Sequence, residues 1–434
     1  MKIIFLYRGK IIVIIYFFLY NAIEVARMIQ RDQYMERLLA FKDINVIKVI
    51  TGLRRCGKST LLQLFKQDLI EAGIGAERII DINFELIAFD HIRDYRQFYQ
   101  FARDAITHAG AGKCYLLFDE VGQVPQWEKA VNSLLAETDI DADIYVTGSN
   151  AHMLSSDIAT LLSGRYVEIK MLPLSFKEYL LFNHLPANLD VEEKFRRYLK
   201  YGCLPPVTML PQEDNIINEF LRGIYNTVII KDIVARTRIR DVELLEKLVR
   251  YVVSNTGNII SYNKISGYLS SQAPGESVKS STIAMYIDAL EKAYIIYKAN
   301  RFDIKGKEQL KTLAKFYVAD TGIRNMLMGY SDNDDIGHLL ETVVYFELLR
   351  RGYQVSIGKW YDSEVDFLAV RQDARKYYQV TYSLMNAEVK RREIAPLAAI
   401  NDNYEKTILS MDRTYITDFE GIKYQNIIDF LLSG

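Results

Sequence analysis

The stretch that decides the fold reads Gly52-Leu-Arg-Arg-Cys-Gly-Lys58-Ser59 and fits the pattern G-x-x-x-x-G-K-[ST]. A short apolar strand, Val46-Ile-Lys-Val-Ile50, precedes it, and a helical pattern follows it. In this context the glycines let backbone N–H groups surround a phosphate, which the N-terminus of the helix also attracts. Lys58 would reach the β- and γ-phosphates, and the Ser59 hydroxyl would bind Mg²⁺. The stretch therefore predicts a phosphate-binding loop.

The loop also fixes which residues we expect to touch the nucleotide, ATP. Two arginines inside it leave alternatives open, because Arg54 and Arg55 can contact phosphate, contact a partner or lie in solvent. The full set of predicted loop contacts is Gly52, Arg54, Arg55, Cys56, Gly57, Lys58, Ser59 and Thr60.

A second motif, Tyr115-Leu-Leu-Phe-Asp119-Glu120, is an apolar strand that ends in two acids. An aspartate at the carboxyl end of a buried strand can hold the Mg²⁺ shell, so Asp119 is the predicted metal-binding partner of Ser59. The adjacent Glu120 can orient and deprotonate a water that attacks the γ-phosphate. The pair Asp-Glu favours hydrolysis over a static switch.

Two further polar residues are weaker candidates for catalysis. The strand Ile144-Tyr-Val-Thr-Gly-Ser-Asn150 ends in small polar residues, and Asn150, with Ser149 close behind, could contact the γ-phosphate or the water. Arg165 ends the stretch Leu162-Ser-Gly-Arg165 and could stabilise charge on the transferring phosphate, in the same chain or from a neighbouring subunit. The alternatives are a simple turn and a surface arginine.

Strands and helices alternate around these motifs. This alternation predicts an α/β domain with a mostly parallel sheet, covered by helices on both faces, over residues of about 40 to 175. The expected strands are 46–50, 79–84, 114–118, 143–147 and 167–170, and the expected helices are about 58–71, 95–108 and 127–138.

Together these motifs resemble a prokaryotic AAA-like ATPase family related to archaeal-type and STAND ATPases. The resemblance also draws on Pro173-Leu-Ser-Phe-Lys-Glu-Tyr-Leu180 and covers the chain from about Met28 to Gly434. It implies a C-terminal domain of uncharacterised function. It also implies that Gly202 and Pro205, in Tyr-Gly-Cys-Leu-Pro, form a lid element near the nucleotide.

The region after the P-loop domain reads as helices followed by a winged helix. Apolar residues at helical spacing predict three helices near 242–252, 259–269 and 280–290, and two wing strands follow. The third helix carries no Lys or Arg over 283–290, although Lys305, Lys307, Lys311 and Lys315 lie between the predicted wing strands. Two alternatives stay open: DNA contact through phosphates, or an interdomain scaffold.

The C-terminal region has the layout of a PD-(D/E)xK nuclease. Glu341 lies on a predicted helix and Asp366 on a strand, and a further strand carries Gln379 and Thr381 where that layout places an acid and a lysine. Lys376 lies an odd number of residues from Thr381 and should point to the opposite face. We therefore expect an inactive, nuclease-like domain that cleaves neither DNA nor RNA.

Composition limits the remaining choices. The 434 residues are 50% hydrophobic and 25% charged, which excludes an intrinsically disordered chain. A net charge of −1 excludes a globally basic nucleic-acid coat. The three cysteines, at 56, 114 and 203, show no zinc spacing and favour a reducing, cytoplasmic location.

The predicted architecture is a P-loop NTPase α/β domain followed by a helical lid, a winged helix and a small nuclease-like α/β domain. We expect an ATPase that needs ATP and Mg²⁺ and whose cycle controls the attached domains. The alternatives are an ATP-gated nuclease and a non-hydrolysing DNA or protein adaptor. DNA, a protein and a second copy of the chain are candidate partners, whereas a membrane is not expected. The predicted segments are 1–27, 28–175, 176–240, 241–325 and 326–434.

Residues 1–27 form an apolar leader whose uninterrupted run, Ile11 to Tyr20, is short for a membrane span. The interpretation that we favour is that translation starts at Met28. A membrane anchor and a packed N-terminal helix are the alternatives.

We predict that a chain beginning at Met28 folds and binds ATP like the full chain, because the sheet begins only near Asn45. Circular dichroism and titration with a fluorescent ATP analogue would check this. Loss of folding on truncation would make the leader a structural element, and fractionation of the full chain with membranes would make it an anchor.

Overall fold

The computed structural model describes residues 29, 31–154, 162, 164–182, 185–186, 188–235, 239, 241–272, 277–331, 336–413 and 418–433. The predicted leader lies outside the described residues. Within them, no helix has the length and apolar composition that crossing a membrane requires. The described chain divides into two compact units. The first comprises the residues up to 51 together with 57–148 and 152–171, and the second comprises 52–56, 149–151 and 172 onward.

The first unit is built on a five-stranded sheet in the order β2-β3-β4-β1-β5. The pairs β1/β4, β2/β3 and β3/β4 are parallel. Their residues are almost all buried and apolar, as expected of a parallel sheet covered on both faces. The predicted α/β class and sheet are thus confirmed. The strands are β1 (Ile47–Gly52), β2 (Ile79–Asn83), β3 (Cys114–Asp119), β4 (Ala142–Gly148) and β5 (Tyr166–Met171).

In the described part of the first unit, four α-helices accompany this sheet. Asp94 caps one of them by accepting hydrogen bonds from the backbone N–H groups of Arg96 and Gln97, which satisfies donors that a helix start leaves unpaired. Apolar side chains such as Phe98 and Val131 pack with the strands into one core. The helices are α1 (Asp32–Ala40), α2 (Lys58–Glu71), α3 (Tyr95–Ala109) and α4 (Trp127–Ala136).

The helices of the second unit lie before, within and after its sheet. One segment, Val228–Val234, continues α7 as a π-helix. The α-helices are α5 (Phe176–Phe182), α6 (Val191–Tyr201), α7 (Asp214–Thr227), α8 (Val242–Ser254), α9 (Tyr262–Gln272), α10 (Ser280–Lys292), α11 (Thr321–Met328), α12 (Ile336–Arg350), α13 (Ala387–Ala399) and α14 (Ile427–Leu432).

A single eight-stranded sheet runs through the second unit in the order β12-β13-β11-β10-β9-β8-β6-β7. Because β6 pairs in parallel with β8, the sheet is continuous across the predicted boundary between residues 325 and 326. Its strands are β6 (Ile296–Asp303), β7 (Glu308–Val318), β8 (Gln354–Trp360), β9 (Ser363–Arg371), β10 (Ala374–Val380), β11 (Glu405–Ser410), β12 (Asp418–Phe419) and β13 (Ile422–Asn426).

Helices α8, α9 and α10 precede the antiparallel hairpin β6–β7, which is the order predicted for a winged helix. The exposed residues of α10 include Ser281, Met285 and Asp288, so this face is not basic. Lys315, which was predicted to lie between the two wing strands, lies within β7 instead. It is only 4% exposed, because the end of β7 is covered by the rest of the unit.

Asp320 fixes the start of α11 from a fully buried position. Its carboxylate accepts hydrogen bonds from the backbone N–H of Cys203, at 2.6 Å, and of Ile323, at 2.8 Å. Burial raises the pKa of this carboxyl group, and the backbone hydrogen bonds counteract part of that rise. Asp320 therefore joins the turn after α6 to the N-terminus of α11.

We predict that Asp320→Ala lowers the free energy of unfolding by about 2–4 kcal/mol, because two buried N–H groups lose their acceptor. Asp320→Asn retains one side-chain oxygen and should lose less. The melting temperature of the purified variants measures this effect, with Asp362→Ala, at an exposed turn residue, as control. Equal melting temperatures for Asp320→Ala and the control would contradict this role.

Candidate phosphate-binding site

The backbone of the predicted phosphate loop takes conformations that require glycine. Gly57 lies immediately before α2 at a φ of 104°, and Gly52 has a φ of 146°. Side chains with a Cβ rarely adopt these angles. The backbone N–H of Leu61 donates to the carbonyl of Gly57 at 2.9 Å, which begins the helix directly at the loop. The N-terminus of α2 is thus placed where the sequence predicts the phosphates.

Three charged residues lie at the ends of the first unit's secondary-structure elements: Lys58 at the start of α2, and Asp119 and Glu120 at the end of β3. All three are buried, with exposures of 4%, 4% and 7%. Lys58 Nζ lies 3.8 Å from Glu120 Oε1. Glu120 has a φ of 51°, a strained backbone value for a residue other than glycine. The structure therefore brings together the predicted phosphate ligand and the predicted base.

Thr147 on β4 connects the two acids, and the sequence analysis did not single it out. Its hydroxyl donates to Asp119 Oδ1 and accepts from the backbone N–H of Glu120 at 2.9 Å. Asn83 Nδ2 donates to the other oxygen, Asp119 Oδ2, at 3.0 Å. Thr147 could have been found from the sequence, because it is a hydroxyl residue near the end of the strand that parallel pairing would place beside β3.

The electrostatics of Asp119 fit a cation site. Burial raises the pKa of its carboxyl group, whereas hydrogen bonds with Thr147 and Ser59 and the charge of Lys58 lower it. Ser59 and Asp119 are thus close to each other and both offer oxygen atoms. Oxygen donors of this kind suit Mg²⁺. These two predicted metal ligands therefore fit the ion.

Two other predicted site residues, Arg54 and Asn150, lie in the second unit and share one partner there. Arg54 binds Asp232 with both ends of its guanidinium, through Nε at 2.8 Å and Nη2 at 3.3 Å. Asn150 Nδ2 donates to the backbone carbonyl of Asp232 at 3.1 Å. Asp232 is 1% exposed and belongs to the π-helix after α7. An acid within the apolar run Val-Ile-Ile-Lys-Asp-Ile-Val was the available signal.

The remaining loop residues differ in exposure. Arg55 and Ser59 are exposed, Thr60 is half-buried and Cys56 is buried. Arg55 also has a φ of 65°, so its side chain is presented from a left-handed turn. Contact of these residues with a nucleotide stays a prediction.

Arg165 lies far from the phosphate loop along the first unit's sheet. Its backbone carbonyl accepts from the N–H of Ile47 at 2.9 Å, which places it beside the first residue of β1. The loop begins at Gly52, at the other end of that strand. Five residues of strand span about 16 Å. The structure therefore does not bring Arg165 to the loop of its own chain, and a role in a neighbouring subunit stays a prediction.

Gly202 and Pro205, the predicted lid residues, lie against α11 in the second unit. A Cβ on Gly202 would come within 2.5 Å of Asp320 Oδ1, and Gly202 has a φ of 88°. Pro205 is buried and begins a short 3₁₀-helix, Pro205–Met209. Their described surroundings explain why the turn needs Gly and Pro, and their role as a nucleotide lid stays a prediction.

Comparison with protein families places the site in a known class. Residues 45–180 match the AAA domain model, and residues 192–334 match a domain of unknown function, DUF8612. The AAA match includes the phosphate loop and both acids at the end of β3. Residues 45–180 therefore form an AAA-type P-loop domain, which supports ATP binding, and the region predicted to be nuclease-like lies mostly beyond both matches.

Two relatives extend along most of the chain. An uncharacterised protein of Haemophilus influenzae is 37% identical over 406 residues, covering 93% of this chain and 99% of its own length. The uncharacterised protein MJ1544 of Methanocaldococcus jannaschii is 31% identical, covering 84% and 79% respectively. This chain belongs to the family of these two proteins. Among solved structures, the Walker-type ATPase PABY2304 of Pyrococcus abyssi has a TM-score of 0.45 at 16% identity, covering 69% of this chain and 96% of its own.

We predict that Arg54→Met destabilises the nucleotide-free protein by about 3 kcal/mol, because it leaves the buried Asp232 carboxylate without its cation. The double variant Arg54→Met/Asp232→Asn should recover part of this loss, because it removes the uncompensated charge. Thermal unfolding of the single and double variants measures the difference. Additive losses in the double variant would show that the ion pair has no energetic role.

Proposed function

We propose that this protein is a Mg²⁺-dependent ATPase whose cycle of ATP binding and hydrolysis controls its attached C-terminal regions. The observation that carries the proposal is the arrangement of Lys58, Asp119 and Glu120 in the first unit. A buried lysine at a helix start, an acid next to Ser59 and a second buried acid supply the groups that γ-phosphate hydrolysis requires.

Each residue has a distinct role in this proposal. The loop amides and Lys58 bind the β- and γ-phosphates, and Ser59 and Asp119 hold the metal ion. The metal supplies neutralisation of charge on the phosphate oxygens. Glu120 accepts the proton of the attacking water, and Thr147 keeps Glu120 in place through its backbone N–H. Thr147 is a positioning residue because it acts through the two acids.

The pair of Lys58 and Glu120 suggests how the base becomes available. At 3.8 Å the two charges attract each other without a normal hydrogen bond. When the nucleotide binds, Lys58 leaves Glu120 and pairs with the phosphate oxygens, because the phosphates carry more negative charge than one carboxylate. Glu120 then turns toward the water, so that the base is released only when nucleotide is bound.

In this proposal, Asp232 connects the phosphate loop to the segment that follows α7. Arg54 belongs to the phosphate loop by sequence, and Asn150 follows β4, yet both contact this one residue of the π-helix. A shift of the loop on nucleotide binding would change the Arg54–Asp232 ion pair and so act on the segment that follows α7. This is the physical basis for proposing control of the C-terminal regions.

The partners follow from the same proposal. Arg165 is exposed at the amino end of β1, so it would complete a site only in a neighbouring subunit of an oligomer. The exposed face of α10 is not basic, which favours a protein partner over DNA for the predicted winged helix. Cys56, Cys114 and Cys203 are buried and form no disulfide, which supports the cytoplasm as the compartment.

We predict that Glu120→Gln retains ATP binding and loses at least about 100-fold in turnover, because only the base is removed. Lys58→Ala should instead weaken ATP binding sharply while the fold stays intact. Phosphate release and binding of a fluorescent ATP analogue separate the two effects. Glu36→Gln, at an exposed residue of α1, is the matched control.

Equal turnover by Glu120→Gln and the control would refute the assigned mechanism. If the wild type binds ATP without releasing phosphate, alone or with DNA, the protein is the non-hydrolysing adaptor described as an alternative. Circular dichroism of Lys58→Ala establishes that any loss of binding is not a loss of fold.

A further inference from the structure

A buried lysine lies among the carboxylates of the nuclease-like region. Lys315, near the end of β7, has its Nζ 2.8 Å from Glu341 Oε1 on α12 and 2.9 Å from Glu364 Oε1 on β9. Asp366 Oδ1, also on β9, lies 3.6 Å away. Glu341 and Asp366 occupy acid positions of the predicted nuclease-like layout, in which Thr381 stands at the position of the lysine. We call Lys315, Glu341, Glu364 and Asp366 the lysine–carboxylate cluster.

The carboxylate oxygens of this cluster already accept hydrogen bonds from other groups of the protein. The Tyr317 hydroxyl donates to Glu341 Oε1 at 2.6 Å, the same oxygen that Lys315 contacts. The backbone N–H of Val380 donates to Asp366 Oδ2 at 2.9 Å. Glu341 and Asp366 therefore each combine the lysine charge with a further donor from the protein.

Gln379 also has its own partners instead of facing an ion. Its Oε1 accepts from the backbone N–H of Asp366 at 3.3 Å, and its Nε2 donates to Glu393 Oε2 at 2.8 Å. Lys376, the other lysine of the strand, pairs with Glu405 at 3.1 Å. The predicted separation of Lys376 from the carboxylates thus agrees with its observed partner.

The neighbouring carboxylates keep the buried Lys315 charged. Burial alone would lower the pKa of Lys315, but the charges of Glu341, Asp366 and Glu364 raise it above its ordinary value. Burial and the neighbouring Glu341 raise the pKa of Asp366 to about 7. The ammonium group is thus a permanent cation between carboxylates that would otherwise repel one another.

The position of the ammonium group decides between two roles. A lysine that assists a metal-bound water would lie beside the metal ligands, leaving their oxygens directed at the ion. Lys315 instead contacts two carboxylates at hydrogen-bonding distance, so a divalent ion bound to the same oxygens would face a buried positive charge.

We propose that Lys315 is the resident cation of the lysine–carboxylate cluster, that it excludes divalent metal ions, and that removing it opens a metal site. The lysine then takes the place of a metal ion and ties β7 to α12 and β9. This inference is independent of the ATPase proposal, because no residue of the phosphate-binding site takes part in it.

The test compares Mn²⁺ binding by nucleotide-free full-length variants, using electron paramagnetic resonance of free Mn²⁺ and titration calorimetry. Wild type and Asp366→Asn should bind the same number of Mn²⁺ ions. Lys315→Met should bind one more, with a dissociation constant below about 1 mM, and Lys315→Met/Asp366→Asn should lose it. Lys305→Met, at an exposed lysine in the turn of the same hairpin, should match the wild type.

Two results would overturn the proposal. One is a Mn²⁺ site in the wild type that Asp366→Asn removes, and the other is a folded Lys315→Met that gains none. If Lys315→Met does not fold, the double variant Lys315→Met/Glu341→Gln takes its place, because it removes one positive and one negative charge together. Its Mn²⁺ binding is then judged by the same two results. Mn²⁺-dependent cleavage of DNA or RNA by the wild type, lost in Asp366→Ala and retained in Glu120→Gln, would equally contradict a closed cluster.

Discussion

The Thr147 hydroxyl is the contact on which the candidate site depends. It donates to the Asp119 carboxylate and accepts from the N–H of Glu120, so one side chain fixes both acids relative to β4. This is geometrically feasible only because β3 and β4 are parallel neighbours, with Phe118 opposite Val146. Parallel pairing brings the carboxyl ends of the strands to one edge, where the strained backbone of Glu120 can be held.

Local signals made much of the first unit predictable. Short, mainly apolar runs predicted its strands to within one or two residues, and Gly57 with Lys58 predicted the start of α2. Burial and backbone geometry act over a few residues there, so the sequence contains the relevant information locally. The same reasoning identified Asp119 and Glu120, because two acids directly after an apolar strand are unusual unless they have a function.

Long-range partners were not predictable in this way. Arg54 and Asp232 are 178 positions apart, and no local pattern at Arg54 distinguishes an ion pair from a phosphate contact. Lys315 was grouped with the lysines between the predicted wing strands, whereas its contacts are on α12 and β9. The predicted boundary at 325/326 separated the wing strands from the nuclease-like region, but the pairing of β6 with β8 carries the sheet across it.

Three buried lysines, Lys48, Lys58 and Lys315, differ in the distances to their carboxylate partners. Lys48 bonds to Asp143 and to the carbonyl of Ile44, and Lys315 contacts two carboxylates at hydrogen-bonding distance. Such lysines are closed by protein groups and hold structure together. Lys58 is equally buried, but its ion pair with Glu120 is 3.8 Å long. The Lys58–Glu120 pair lies at a helix N-terminus, which also attracts anions. The proposed exchange of Glu120 for phosphate would therefore replace an ion pair that is longer than the two hydrogen-bonded contacts of Lys315.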